Sequence, residues 1–197
     1  MIKTEGSGRE QILNAALKQF AAKGYAGTSM RDIIAGTGFT LPTIYYHFGN
    51  KAGIYKALVD TAFDEAYQRM QTAAARRSDL EGQVVEIAVA MFDFVRERRE
   101  LTRLAFATLF AAPEELPAEL RDAEKRQRNL GLIEQLSVRA IKARKVNRSF
   151  NGRELAEGIY AAITFQVMQS LLDPGPPPRR RQAVRIVRLF FEGAEVN

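Results

Sequence analysis

Within its first fifty or so residues the chain spells the start of a helix three times and the end of one twice. "SGRE" opens the first: Ser7 can accept from the backbone amide three residues on while Glu10 reaches back, a reciprocal cap. "TSMRD" repeats the device with Ser29 and Asp32, and "GTGFT" places Thr40 where it can cap a third helix. Gly24 closes the first helix as a residue free to take positive φ, and Gly36 and Gly38 allow a sharp turn ahead of Phe39. Ile12, Leu13, Ala16, Leu17 and Phe20 recur on one face, and Met30, Ile33 and Ile34 supply the inward side of the next segment. The pattern predicts short helices over 7–23, 29–36 and 41–48, two of them joined by a tight glycine turn and braced by the third. That is a helix-turn-helix.

Beyond residue 50 strand signals are nearly absent, and Ala, Leu, Glu and Arg dominate. Breaks fall at "SDLEG", "AAPEELPA", "NRSFNG" and "DPGPPP". Between them the spacing predicts helices over 51–77, 82–99, 101–110, 117–145, 152–172 and 179–192. The expected fold is all-α with about nine helices: an N-terminal helix-turn-helix domain over 1–50 and a larger helical domain over 51–197.

A chain of 197 residues with 46% hydrophobic and 26% charged residues can bury a real core. Its net charge of +6 suits a polyanionic partner without requiring one. It contains no cysteine, so disulfides, thiol nucleophiles and cysteine-based zinc sites are out. There is no HExxH, no G-x-S-x-G and no phosphate loop, and a single histidine is left for acid–base work. Asp64/Glu65 and Glu114/Glu115 are sequence neighbours, which diverge by about 100° on a helix and cannot converge on one atom. No catalytic residue, metal or cofactor is expected. Without a signal-peptide core or an apolar run long enough to span a bilayer, the expectation is a cytoplasmic chain with no membrane partner.

The third helix, "LPTIYYHF", carries the chemistry. Ile44 and Phe48, at i and i+4, point inward, which turns Leu41, Thr43, Tyr45, Tyr46 and His47 partly or wholly outward. Threonine and tyrosine hydroxyls bond phosphate oxygens or base edges, and Leu41 can sit against a thymine methyl. His47 and Lys51 flank the far end, where each could meet a phosphate.

"GTSMRDIIAGTGFTLPTIYYHFGNKAGIYKAL" resembles the DNA-binding segment of the tetracycline-repressor (TetR/AcrR) family of transcriptional regulators. The match covers roughly residues 10–58 and includes Thr28, Ile33, Gly38, Thr40, Ile44, Tyr45, His47, Phe48, Lys51 and Leu58. The resemblance implies a homodimer on double-stranded operator DNA with a small-molecule pocket in each larger, regulatory domain. It places Thr40, Thr43, Tyr45, Tyr46, His47 and Lys51 at DNA, with Ser29 at the start of the second helix beside them. Leu41 and Pro42 also fall on the DNA-facing tip, but depart from the basic-plus-small pair often seen there. A strong guanine-reading side chain is therefore missing.

From residue 80 on the resemblance is loose. The family implies a pocket for a largely apolar effector, and the Met and aromatic stripe Met91, Phe92, Val95, Phe106, Phe110, Tyr160, Phe165 and Met168 is the set that could line it. Such a stripe is more often core. The last two helices suit dimerisation through Ile159, Ile163, Val167, Val187, Phe190 and Phe191, because a terminal helix apolar on more than one side should bury its second side. Burial within its own subunit is the alternative. A two-fold dimer would present its recognition helices roughly 34–36 Å apart or somewhat more, to a pseudo-palindrome. Two rivals stand beside this reading. A ligand-independent architectural DNA binder would carry the same third helix, and the basic runs at 142–148 and 179–181 could themselves form a nucleic-acid patch, although such runs are usually solvated.

Overall fold

The computed structural model of the chain describes residues 8–120, 124–146, 149–173, 175 and 178–193. Among them are nine α-helices and no strand: α1 Gly8–Lys23, α2 Met30–Ala35, α3 Leu41–Phe48, α4 Lys51–Ala74, α5 Leu80–Glu97, α6 Arg99–Phe110, α7 Glu124–Lys142, α8 Gly152–Leu172 and α9 Arg180–Gly193. The all-α expectation holds. One boundary does not: the single helix expected over 117–145 is a 3-10 turn at Ala118–Leu120, followed by α7 from Glu124. The expected cap at Ser7 lies outside the described residues.

The chain divides into two compact units, and the division does not fall at residue 50. One unit runs through Ala62 and resumes from Glu100 to Leu120, whereas the other takes Phe63–Arg99 and the described residues from Glu124 on. α6 therefore belongs, past its first residue, with the helix-turn-helix.

The first unit is built on α1, α2 and α3, whose inward side chains Ile12, Ala16, Ile33 and Ile44 are fully buried. Each buried isoleucine contributes about 1.5–3 kcal/mol relative to exposure. Tyr55 meets Phe20 and Tyr25 edge-on at centroid distances of 5.0 and 5.1 Å, and those two rings stack 6.1 Å apart. Tyr55 then fixes α6, its buried hydroxyl 3.1 Å from Thr108 Oγ1, which donates to the Leu104 carbonyl.

In the second unit α7 packs along α8, and α5 packs against α8 and α9. Met70, Ile87, Phe92, Val95, Ile133, Ile163 and Val167 fill the interior. Two close approaches set the geometry. Gly152 lies so near α7 that an added Cβ would stand 2.3 Å from Val138 Cγ2. Glu86 on α5, only 5% exposed, holds both arms of the Arg180 guanidinium at 2.6 and 3.1 Å and Arg77 at 3.3 Å.

Candidate nucleic-acid interface

Three elements aim α3. α2 begins at Ser29, whose hydroxyl accepts from Asp32 N while its own backbone amide donates to Asp32 Oδ2 at 2.8 Å. The Lys23 ammonium, and after it Ser29, holds the Asp32 carboxyl well below the usual carboxylate range. Ser29 Oγ also donates to Asp32, which engages its proton in the cap.

The α2–α3 connection turns without a left-handed residue. The positive-φ glycines among the described residues are Gly24, as expected, and Gly49, which ends α3; Gly36 and Gly38 are not among them. Thr40 occupies the N-cap position with extended backbone but makes no side-chain cap bond, contrary to expectation. Its hydroxyl lies 3.0 Å from that of Thr43 instead. Such a pair leaves one O–H and several lone pairs facing outward.

α3 itself separates its faces as expected. Ile44 is sealed, and Phe48 is half-buried with the Arg9 guanidinium 5.2 Å from its ring centre. Tyr46 is 87% exposed, Tyr45 and Leu41 are exposed, and so are Pro42 and His47. Thr43 is half-buried. The edge of His47 meets the Tyr46 ring at 5.4 Å, which limits how far either can swing. The result is a ridge of hydroxyls and rings standing proud of an apolar base.

Lys51 also has partners within its own unit. Its ammonium donates at 2.9 Å to the carbonyls of both Tyr25 and Thr28, and sits 4.3 Å from the Tyr25 ring centre. Two of its three N–H donors thus hold the start of α4 to the α1–α2 connection.

The junction between α3 and α4 has a further requirement. A Cβ at Gly53 would lie 1.9 Å from the Phe48 carbonyl oxygen, so only glycine lets the two helix ends approach. Its φ is ordinary, and no sequence signal marked it.

The expected pocket set does not come together within either unit. Phe106 and Phe110 belong to the first, their ring centres 6.5 Å apart and Phe110 exposed. The other six belong to the second. There Phe92 and Val95 are core, Met91, Tyr160 and Met168 are half-buried, and Phe165 is exposed. Burial pushes the Tyr160 hydroxyl above its usual pKa.

The expected dimer set is also redistributed. Ile159, Ile163, Val167 and Val187 are each 2% exposed or less within their own unit, which leaves them no surface for a second copy. Phe191 is half-buried, and the side chain of Phe190 lies outside the described ones. The large apolar side chains that α8 and α9 expose among the described residues are Phe165, Leu172 and Leu189. Beside them, Gln166, Gln169, Ser170, Asp173 and Gln182 line an open polar groove, with Gln182 donating to Gln166 at 2.7 Å. Of the two basic runs, Arg180 is held by Glu86 while Lys142, Arg144, Lys145, Arg179 and Arg181 are exposed; Arg148 lies outside the described residues. No helix among the described residues is long and apolar enough to cross a membrane.

Residues 12–58 match the profile of bacterial regulatory proteins of the tetR family. Over 102 residues, 51% of this chain and 49% of the relative, the sequence is 26% identical to the probable HTH-type transcriptional regulator YttP of Bacillus subtilis. Over 56 residues, 28% of this chain and 27% of the relative, it is 39% identical to the HTH-type transcriptional repressor ComR of Escherichia coli. The chain thus spans half or less of the length of both these relatives. The fold match is far longer. Bacillus subtilis FadR, solved in complex with stearoyl-CoA, superposes with a TM-score of 0.82 over 94% of this chain and 99% of that one, at 18% identity.

Proposed function

We propose that the chain is a TetR-family transcriptional regulator, a repressor released from a pseudo-palindromic operator by a small molecule. One observation carries the DNA-binding half of this reading. α3 presents Leu41, Tyr45, Tyr46 and His47 outward from a buried Ile44, on a base fixed by Lys51 and Gly53. A ridge of this kind fits a major groove, with hydroxyls and rings meeting phosphates and base edges. The absence of a guanine-reading arginine from Leu41 and Pro42 favours an operator read through thymine methyls and backbone shape.

The partner copy in this reading meets the exposed side of α8 and α9, at Phe165, Leu172 and Leu189, rather than the buried residues between those helices. The effector belongs to the second unit. α4 starts beside the ridge at Lys51 and continues into that unit to Ala74, so a ligand that favours one setting of α4 changes the spacing of two heads. Only a ligand with different affinity for the two settings can do so. Bacillus subtilis FadR was solved with stearoyl-CoA, which makes a long-chain acyl-CoA the first compound to try.

The test is genomic footprinting of the purified protein, followed by titration of the recovered site with and without stearoyl-CoA. Paired half-sites protected in phase support the dimeric reader. Tyr46→Ala should weaken that binding at least about tenfold with stability changed by no more than about 0.5 kcal/mol, as befits an exposed side chain. Protection of unrelated DNA to the same extent would establish the architectural binder instead.

A further inference from the structure

The ridge on α3 is poor in charge for a surface that meets a polyanion. Leu41, Pro42, Thr43, Tyr45 and Tyr46 carry none, and two of the three N–H donors of Lys51 go to the Tyr25 and Thr28 carbonyls. Binding to a duplex draws much of its strength from cations set against phosphates. Arg9 on α1 can supply one. The first turn of α1 is fixed along the flank of α3 at two points. A Cβ at Gly8 would stand 3.0 Å from the Phe39 ring, just ahead of α3. One residue on, the Arg9 guanidinium lies 5.2 Å from the centre of the Phe48 ring, at the end of α3. From Phe48 the rings run on into the ridge, with His47 at 6.1 Å from Phe48 and Tyr46 at 5.4 Å from His47, centre to centre. The guanidinium thus extends that row, within about 11 Å of the His47 ring centre.

Arg9 is exposed, and no carboxylate pairs with it among the described residues. The only acidic residue from Tyr25 to Lys51 is Asp32, which is already paired with Lys23. Stacking on a ring occupies one flat face of a guanidinium and leaves its N–H edge open, and that edge matches two phosphate oxygens. Phe48 serves as a platform that holds the fork in place. The geometry points to Arg9 as a further contact to the DNA backbone, its N–H edge gripping a phosphate beside the groove that α3 enters. Most exposed arginines are merely solvated. This one differs in having a fixed seat, no carboxylate to satisfy it, and a neighbouring ridge that is short of cations. Such a contact sets register and affinity and carries no sequence information. It rests on the reading of α3 as a DNA reader, and adds the charge that the ridge itself lacks.

The test titrates the full chain and three variants, Arg9→Ala, Arg9→Lys and Lys18→Ala, against the footprinted operator duplex at salt concentrations from about 50 to 200 mM. Lys18 is exposed on the same helix about two and a half turns further on, and controls for net charge. Both positions lie on the surface, and affinities are corrected for the folded fraction read by circular dichroism. Arg9→Ala should weaken operator binding about fivefold at 0.15 M salt and make the log–log salt slope shallower by about one unit, with discrimination against single-base operator variants unchanged. Arg9→Lys keeps the charge and hence the slope, but lacks the planar fork, so its affinity should fall between the two. Lys18→Ala should match the wild type in both. The assignment is overturned if Arg9→Ala keeps the slope, if Lys18→Ala makes it equally shallow, or if Arg9→Ala alters discrimination, which would make Arg9 a base reader. Wild-type operator binding with an unchanged slope in Arg9→Ala rejects this contact alone; a wild type that binds no operator rejects the DNA-reader reading with it.

Discussion

Replacing Lys51 with Met tests whether this residue positions the ridge or neutralises a phosphate. In the structure its ammonium makes two charge-assisted hydrogen bonds of 2.9 Å to the Tyr25 and Thr28 carbonyls, and faces the Tyr25 ring at 4.3 Å. Hydrogen bonds to a charged group are worth about 1.5–3 kcal/mol each, and an exposed cation–π contact about 0.5–1 kcal/mol. The site is only half-buried, and the carbonyls can recruit water once the ammonium is gone, so the sum must be cut to about 2–3 kcal/mol. At about 2–4 °C per kcal/mol for a chain of this size, the melt should fall by roughly 5–10 °C. Urea unfolding followed by tyrosine fluorescence reports on this directly, since Tyr25 and Tyr55 sit beside the lost contact. Operator affinity corrected for the folded fraction should keep its salt slope within about half a unit. A phosphate ligand behaves in the opposite way: stability holds, and the slope becomes shallower by about one unit. That second pattern would refute the positioning role.

Two further substitutions probe close contacts. Gly53→Ala must push the α3 and α4 ends apart to relieve a 1.9 Å approach to the Phe48 carbonyl, and should cost about 1–3 kcal/mol in a thermal melt while weakening operator binding. Glu86→Gln leaves the Arg180 and Arg77 guanidiniums without their shared carboxylate; because both arginines are half exposed, the loss should be about 1–3 kcal/mol by urea titration. The same pair sets a pH dependence. The Arg180 guanidinium, with Arg77 assisting and burial opposing, holds the Glu86 carboxyl below its usual value. Its stabilisation is therefore complete above the unfolded pKa of about 4.3, and is lost as pH falls through the lower folded value. Glu86→Gln should flatten the stability profile across that acid window, which unfolding curves at stepped pH will show.

The helix starts were legible because caps are local. Ser29 with Asp32 reads directly as a helix opening, and makes its cap; Asp79 and Asn151 also cap, within stretches that read only as breaks. The outward set on α3 was legible for a related reason: a helix of eight residues with Ile44 buried has few ways to orient the rest. Local sequence misled where a side chain had a distant alternative. Thr40 sits where a cap belongs, yet bonds Thr43. Lys51 sits where a phosphate ligand belongs, and carbonyls 26 and 23 residues back accept hydrogen bonds from it that the sequence did not announce. Gly53 showed nothing in sequence, since its need comes from a neighbour's backbone rather than from its own φ.

The dimer set shows a deeper limit of periodicity. Ile159, Ile163 and Val167 repeat every four residues, and Val187 shares the same chemistry; such a row marks a face that must be buried without saying against what. Within this chain α5, α7 and α9 already pack on α8, and those side chains are buried. In the dimer proposed above, the surface left for another copy is the exposed stripe in which Phe165 and Leu172 stand seven residues apart among polar neighbours and Leu189 stands on α9. Sparse apolar residues with a polar surround are what an interface between already folded subunits needs. The subunit must stay soluble before it finds its copy, and the contact must still exclude water at its centre. A charge placed at Leu172, which is 72% exposed, should therefore leave the monomer folded and shift its sedimentation toward single chains. The same charge at Ile163, buried in its own unit, should unfold the chain instead.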